Sequence, residues 1–226
     1  MFNKSLYATI GTAFASLVIV ANVNAASLTE TVDVGEFTGN AGQTNSQPSG
    51  TTLDSISGSL ADIPNGDIDL FQILAVGGSF SATTDTAGTD PFLDTQLFLF
   101  DANGIGIAAS NDIDAFNFSS TISITLAPGT YYIGISSFGS DPRSPGGDIF
   151  IIPTTGQVNP ANGPGAGSSL SSWSANGAPG SGSYSIGFTG AQFVGETTPV
   201  PFGFNPIWGL LILGIWGTTT QWRSKK

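Results

Sequence analysis

Residues 94–114 read DTQLFLFDANGIGIAASNDID, and the reading of this stretch decides the fold. DTQLFLFD, Asp94 to Asp101, has the period-two character of a half-buried strand. Asp101-Ala102-Asn103-Gly104 is a tight-turn signal, and IGIAAS, Ile105 to Ser110, returns as a second strand. With the turn centred near Asn103, the positions of paired residues sum to about 206. Asp94 then faces Asp112 or Asn111 at the open end of the hairpin, with Asp114 just beyond. Like charges opposite one another across a sheet are destabilising, so the arrangement calls for a compensating cation. Calcium suits it, as a hard ion that takes about 6–8 oxygen ligands. Asp94, Asp112 and Asp114 are the candidate metal ligands. The same residues would also serve as caps of turns and strand ends, where aspartate is common, and no established calcium-loop consensus is present. Asp67 and Asp69 in NGDIDLF form a second acidic pair, read as a strand-entry turn.

Outward from this hairpin, residues 27–196 are rich in Gly, Ser, Thr and β-branched side chains and lack helical spacing of apolar residues. Strands are expected over Ser27–Phe37, Ile68–Leu74, Ser79–Thr84, Ser120–Leu126, Thr130–Phe138, Asp148–Ile152 and Ser183–Gly190. In LAPGTYYIGI, Pro128-Gly129 makes a turn, and Tyr131, Ile133 and Ile135 alternate against Tyr132, Gly134 and Ser136, so that one face is core. Loops are expected over Asn40–Thr52 and Thr154–Gly182. Trp173 in the second loop either caps a sheet edge or meets a ligand. The spacing implies an all-β fold, an antiparallel β-sandwich of jelly-roll type.

The charge is strongly asymmetric. All sixteen acidic residues lie between Glu30 and Glu196, whereas Arg143 is the one basic residue in the span 27–200, leaving it at −15. Such a surface repels phosphate backbones and excludes nucleic acid as a partner. The chain has no cysteine and no histidine. Disulfides, thiol catalysis and zinc–thiolate sites are therefore ruled out, and a Ser-His-Asp or Cys-His machine cannot be assembled.

Both ends carry processing signals. MFNKSLYATIGTAFASLVIVANVNAAS opens with Lys4, continues through an apolar stretch from Ala8 to Val20, and presents Val23-Asn24-Ala25 as a cleavage site. Residues 1–25 are read as a secretory signal peptide and residues 26–196 as the mature domain. Residues 197–226 form a third segment. Within it Phe202 to Trp216 is apolar apart from Asn205, and as a helix it would span about 22 Å, short of a bilayer core of about 30 Å. Extension through Gly217–Gln221 to Trp222 makes spanning feasible, with Arg223, Lys225 and Lys226 held on the cytoplasmic side. A C-terminal transmembrane or sorting helix is expected, with the acidic domain outside.

The proline-rich hinge, short apolar helix and basic tail resemble bacterial PEP-CTERM sorting signals, which implies an exosortase-like sorting enzyme as a partner. Pro199-Val200-Pro201-Phe202-Gly203-Phe204 stands where the usual Pro-Glu-Pro triplet would be, so a plain C-terminal anchor fits as well. GDIDLFQILAVGGSFSATT, DTQLFLFDANGIGIAASND and STISITLAPGTYYIGISSFG together resemble bacterial pre-peptidase C-terminal (PPC-like) domains over Asp62 to Gly190. The similarity is greatest to the exported subgroup called the DVUA0089 family. The resemblance implies a jelly-roll sandwich, an accessory role outside the cell, and calcium binding in some relatives. The common Asn-Asp-Asp is Asn111-Asp112-Ile113 here, with Asp114 one place later.

The expected function is a non-catalytic exported module of the cell surface or extracellular matrix, stabilised by calcium and processed or anchored through its C-terminal signal. Extracellular polysaccharide or matrix protein is its expected partner, and the C-terminal helix its contact with the membrane. The alternative is a carbohydrate-binding, lectin-like domain with Trp173, or Tyr131 and Tyr132, as the stacking platform.

Overall fold

The computed structural model describes residues 25–63, 66–153, 155–174 and 180–195. Residues 1–24 of the expected signal peptide, and the expected sorting or anchor segment 197–226, lie outside the described residues. Every regular element among the described residues is a strand. In chain order these begin with β1 (Ala26–Thr29), β2 (Gly42–Gln43), β3 (Leu53–Leu60), β4 (Ile68–Ala75) and β5 (Gly78–Thr83). They continue with β6 (Thr95–Asp101), β7 (Gly106–Ser110), β8 (Thr121–Leu126), β9 (Gly129–Ser137) and β10 (Pro142–Ser144). The last are β11 (Gly147–Asp148), β12 (Val158–Pro160), β13 (Ser172–Trp173), β14 (Gly182–Thr189) and β15 (Ala191–Gln192).

Two main sheets form the fold. One runs β1-β3-β14-β5-β8, and the other runs β12-β7-β6-β9-β4-β15 with β2 beside β4. The principal core lies between them. Leu53 and Ile56 of β3, Phe80 of β5, Ile122 of β8 and Ile186 of β14 meet Phe71 and Ile73 of β4, Leu97 and Leu99 of β6, and Ile133 and Ile135 of β9. On β4, β6 and β9 these residues recur every second position, as inward-facing positions of a sandwich do, whereas on β3 the spacing from Leu53 to Ile56 is three.

The ladders are antiparallel except at two places, which corrects the wholly antiparallel expectation: β1 pairs with β3, and β2 with β4, in parallel. A parallel neighbour cannot be reached by a tight turn, so the chain from Glu30 to Thr52 makes a long crossover between β1 and β3. Residues 53–60, to which the sequence reading assigned no element, form β3 and bridge β1 and β14. The strand expected from Ser27 to Phe37 ends at Thr29. The two expected loops contain β2 and β12–β13.

β6 departs from the half-buried expectation in an instructive way. Thr95 to Phe100 are all buried. Leu97 and Leu99 face the principal core, while Phe98 and Phe100 enter a second cluster with Leu70, Tyr132, Ile149 and Phe150. That second cluster covers the outer face of the larger sheet, so β6 is apolar on both sides for the reason that central strands of covered sheets are. Ile149 and Phe150, expected to continue a strand, turn instead into this outer cluster beyond the two-residue β11.

The β6–β7 hairpin is present, and Asp101 Oδ1 closes its turn by accepting from Asn103 N at 2.8 Å and Ile105 N at 2.9 Å. Phe100 pairs with Gly106, but Leu99 with Ala108 and Leu97 with Ser110. One extra residue on the β7 side is a bulge. Beyond it the pairing sum moves by one from the expected value. Continuing that register past the ladder sets Asp112 beside Thr95 rather than beside Asp94.

Candidate cation site

The strongest constellation lies where β1 leaves its sheet. Glu30 follows β1 directly, and its N–H donates to Ser57 O at 2.8 Å, extending the β1–β3 pairing by one bond. Glu30 Oε1 accepts from Val34 N at 2.9 Å, which folds the chain back and presents Asp33 on the same turn. Asp69 comes from β4 on the opposite sheet, in the same alternating phase as Phe71 and Ile73, so its carboxylate points between the layers. Glu30, Asp33 and Asp69 each bring one oxygen within 4.8 Å of the others. Ligand oxygens on opposite sides of a calcium ion stand about 5.2 Å apart at most, so the three fit around one cation. A cleft of about 290 Å³ lined by Glu30, Asp33, Ser59 and Asp67 adjoins them.

Asp69 is fully buried and neither of its oxygens receives a hydrogen bond. Across the layer, Tyr184 of β14 donates its hydroxyl to Glu30 Oε2 at 3.1 Å. Gly58, paired with Tyr184 on β3, makes room for that contact: a Cβ there would collide with the Glu30 carboxylate and the Tyr184 hydroxyl. Burial pushes the Asp69 carboxyl up to about 8; the charges of Glu30, Asp67 and Asp33 add to the rise, and the Tyr184 hydroxyl opposes it. Burial foremost, then the neighbouring Asp69 and Glu30 carboxylates, hold Tyr184 above the usual tyrosine range, so it stays a neutral donor. Asp67 accepts from Ala61 N at 2.6 Å, yet burial still raises its carboxyl, as it does that of Glu36 nearby. Five carboxylates thus share one corner, and the donor set is the all-oxygen kind that hard divalent cations take.

The residues expected from sequence are distributed as follows. Asp94 lies immediately before β6 and Asp112 two residues after β7, at the same end of the larger sheet. Burial, and then the Asp112 charge, push the Asp94 carboxyl up to about 6; burial raises that of Asp112. Asp114 is not held with them. Its Oδ1 accepts from Phe116 N at 2.8 Å and Asn117 N at 3.0 Å, capping the turn that follows. Trp173, on β13, is half-buried. Its ring stands edge-on to Phe98 and Phe100 at 5.6 and 6.4 Å, and its Nε1 donates to Glu36 O at 2.9 Å. It thereby ties the long crossover to the outer cluster. Of the tyrosine pair, Tyr132 is buried in that cluster and Tyr131 donates its hydroxyl to Ala127 O at 3.0 Å.

The sequence alone does not mark Glu30 and Asp33, and it suggests a turn at Asp69. One signal was available for Asp69. A carboxylate two residues before Phe71 and four before Ile73 occupies the core phase of its strand, where a charge needs a partner. No comparable signal marks Glu30 and Asp33, because only the parallel docking of β1 brings them to β4.

No protein-family model matches the chain, and no curated protein matches it. Among solved structures, the chain is similar to the pre-peptidase C-terminal domain of collagenase from Bacillus anthracis. The two are 10% identical over 74% of this chain and 95% of that one, with a TM-score of 0.34.

Proposed function

We propose that this protein is a non-catalytic, exported β-sandwich module of the cell surface, in which a calcium ion at Glu30, Asp33 and Asp69 fastens the leading strand to the rest of the domain. One observation carries the cation: Asp69 is fully buried, receives no hydrogen bond although the Tyr184 hydroxyl that Glu30 takes lies close by, and sits with two further carboxylates around a common point. An isolated buried charge is expensive, and a cation is the group that would offset it. Two of the ligands follow β1 and the third belongs to the opposite sheet, so the ion would cross-link the N-terminal segment to both layers. Export rests on the signal-peptide pattern ending at Ala25, one residue before β1 begins. The hinge, apolar stretch and basic tail after Pro199 supply a PEP-CTERM-like sorting signal or anchor at the other end. Non-catalysis rests on a chain without histidine or cysteine.

The test is a thermal melt of the purified protein in calcium and in chelator. Calcium is expected to raise the melting temperature of the wild type by several degrees, as a ligand that binds only the folded state must. The Asp69→Asn variant is expected to lose most of that rise, keeping only the shift that sodium chloride of equal ionic strength produces. Equal wild-type melts in calcium and chelator would reject the calcium reading. Export is checked separately by the intact mass of protein recovered from the exporting cell, which should begin at Ala26.

A further inference from the structure

The exposed phenylalanines among the described residues gather at one end of the sandwich. Phe92 is 92% exposed and Phe116 95%, with Phe118 at 44% and Phe138 at 52%. They belong to the loops that follow β7 and β9 and the loop that leads into β6. Thr83 at the end of β5 is paired with Thr121, and Ser137 at the end of β9 with Thr95, so these loops emerge together. Backbone bonds gather them around the start of β6. Phe138 N donates to Asp94 O at 2.9 Å and Thr95 N to Phe118 O at 3.1 Å, while Phe92 precedes Asp94 by two residues. The two most exposed rings are presented by the same device. Asp90 Oδ1 accepts from Phe92 N at 2.9 Å and Asp114 Oδ1 from Phe116 N at 2.8 Å, so an aspartate closes each turn. Beneath the loops, Thr84, Thr95 and Ser120 are fully buried. Thr84 Oγ1 and Thr95 Oγ1 lie 2.6 Å apart, Ser120 N donates to Thr84 Oγ1 at 2.8 Å, and Ser120 Oγ donates to Thr95 O at 2.5 Å. This network fixes both loops to β6, so the rings are held out in water by ordered structure. Single exposed apolar side chains are ordinary on a surface, but four rings ordered on adjoining loops mark a contact surface.

The charge around the rings selects the partner. Asp85, Asp90, Asp94, Asp112 and Asp114 lie on the loops 84–94 and 111–120, and neither loop carries a basic residue. Arg143, the one basic residue among the described residues, is paired with Asp148 at 2.8 Å. A second copy would set these carboxylates against their own kind, and an anionic bilayer would be repelled in the same way. An ammonium or guanidinium group is attracted twice, by a ring face and by a neighbouring carboxylate. We propose that Phe92, Phe116, Phe118 and Phe138 form a docking surface for a protein segment that carries lysine or arginine among apolar side chains. The apolar side chains would cover the rings, and the cations would pair with the aspartates around them. Because the rings are already ordered, little freedom is lost on binding. Docking here requires no ion at Glu30, Asp33 and Asp69.

Calorimetric titration of the purified protein, in chelator, with two synthetic peptides of equal length tests this. One peptide alternates leucine with arginine, the other serine with arginine. The wild type is expected to bind the leucine–arginine peptide at least about tenfold more tightly. The double variant Phe92→Ser/Phe116→Ser is expected to lose that preference at an unchanged melting temperature, since both rings are exposed. Phe116→Ala alone should weaken the leucine–arginine peptide severalfold. Val76→Ser, at an exposed position beyond β4 at the opposite end, is expected to keep wild-type binding. Equal wild-type affinity for the two peptides would overturn the proposal, as would a preference retained in the double variant. Sedimentation with phosphatidylcholine vesicles gives the competing outcome. Wild-type partition into the vesicles that the double variant loses would assign the rings to a lipid surface and overturn the protein partner.

Discussion

Asp69 is the residue on which the proposed site turns. Its strand places it inward, and no neighbour donates a hydrogen bond to it. Its carboxyl is raised to about 8, with burial as the main cause. The folded protein therefore binds this proton more tightly than the unfolded chain, whose aspartates ionise near about 3.9. The stability linked to this proton is fully present below the unfolded value and is lost as pH rises through the folded one. In chelator, the melting temperature is expected to fall between about pH 4 and about pH 8. Asp94, raised to about 6, adds a smaller loss over the lower part of that range. Calcium competes for the ionised carboxylate, so saturating calcium should flatten the profile, and Asp69→Asn should flatten it in chelator as well. A chelator profile with the same slope in wild type and Asp69→Asn would show that Asp69 does not titrate in this range.

Among the elements, β6 shows how one strand serves two cores. Phe98 is fully buried, 5.8 Å from the ring of Phe150 and 5.6 Å from that of Trp173. Phe92, six residues earlier in the preceding loop, is 92% exposed. Phe98→Ala is expected to destabilise the fold by about 3–5 kcal/mol in denaturant unfolding, whereas Phe92→Ala should change it by about 0.5 kcal/mol or less. Similar losses from both would mean that the outer cluster contributes little. The run LFLF was legible as a strand, but its second buried face was not. The segment that covers it, from Ile149 to Trp173, is distant in sequence and rich in Gly, Ser and Pro. β3 was missed for a related reason. LDSISGSL carries apolar side chains only at Leu53, Ile56 and Leu60, so its period is broken by the small residues that make room for Glu30 and Tyr184.

At the scale of the whole molecule, the lysine-free span 27–200 carries −15 and repels itself. Any salt should relieve part of that repulsion, so a calcium effect has to be separated from screening. Calcium at about 1 mM is expected to raise the melting temperature more than sodium chloride of equal ionic strength, because a bound ion acts through its site rather than through the Debye atmosphere. Equal shifts would reduce the calcium effect to screening.

The sequence by itself determined an all-β chain, the hairpin around Asn103, most of the long strands and the acidic character of the domain. These follow from local periodicity, turn chemistry and composition, which need no knowledge of distant neighbours. The tertiary structure decided which carboxylates stand together. A parallel strand reached by a long crossover brings Glu30 and Asp33 against Asp69, and a bulge moves the hairpin register so that Asp112 falls beside Thr95 rather than beside Asp94. Contacts of that kind depend on how sheets pack and where ladders slip, and neither is written in any one stretch of residues.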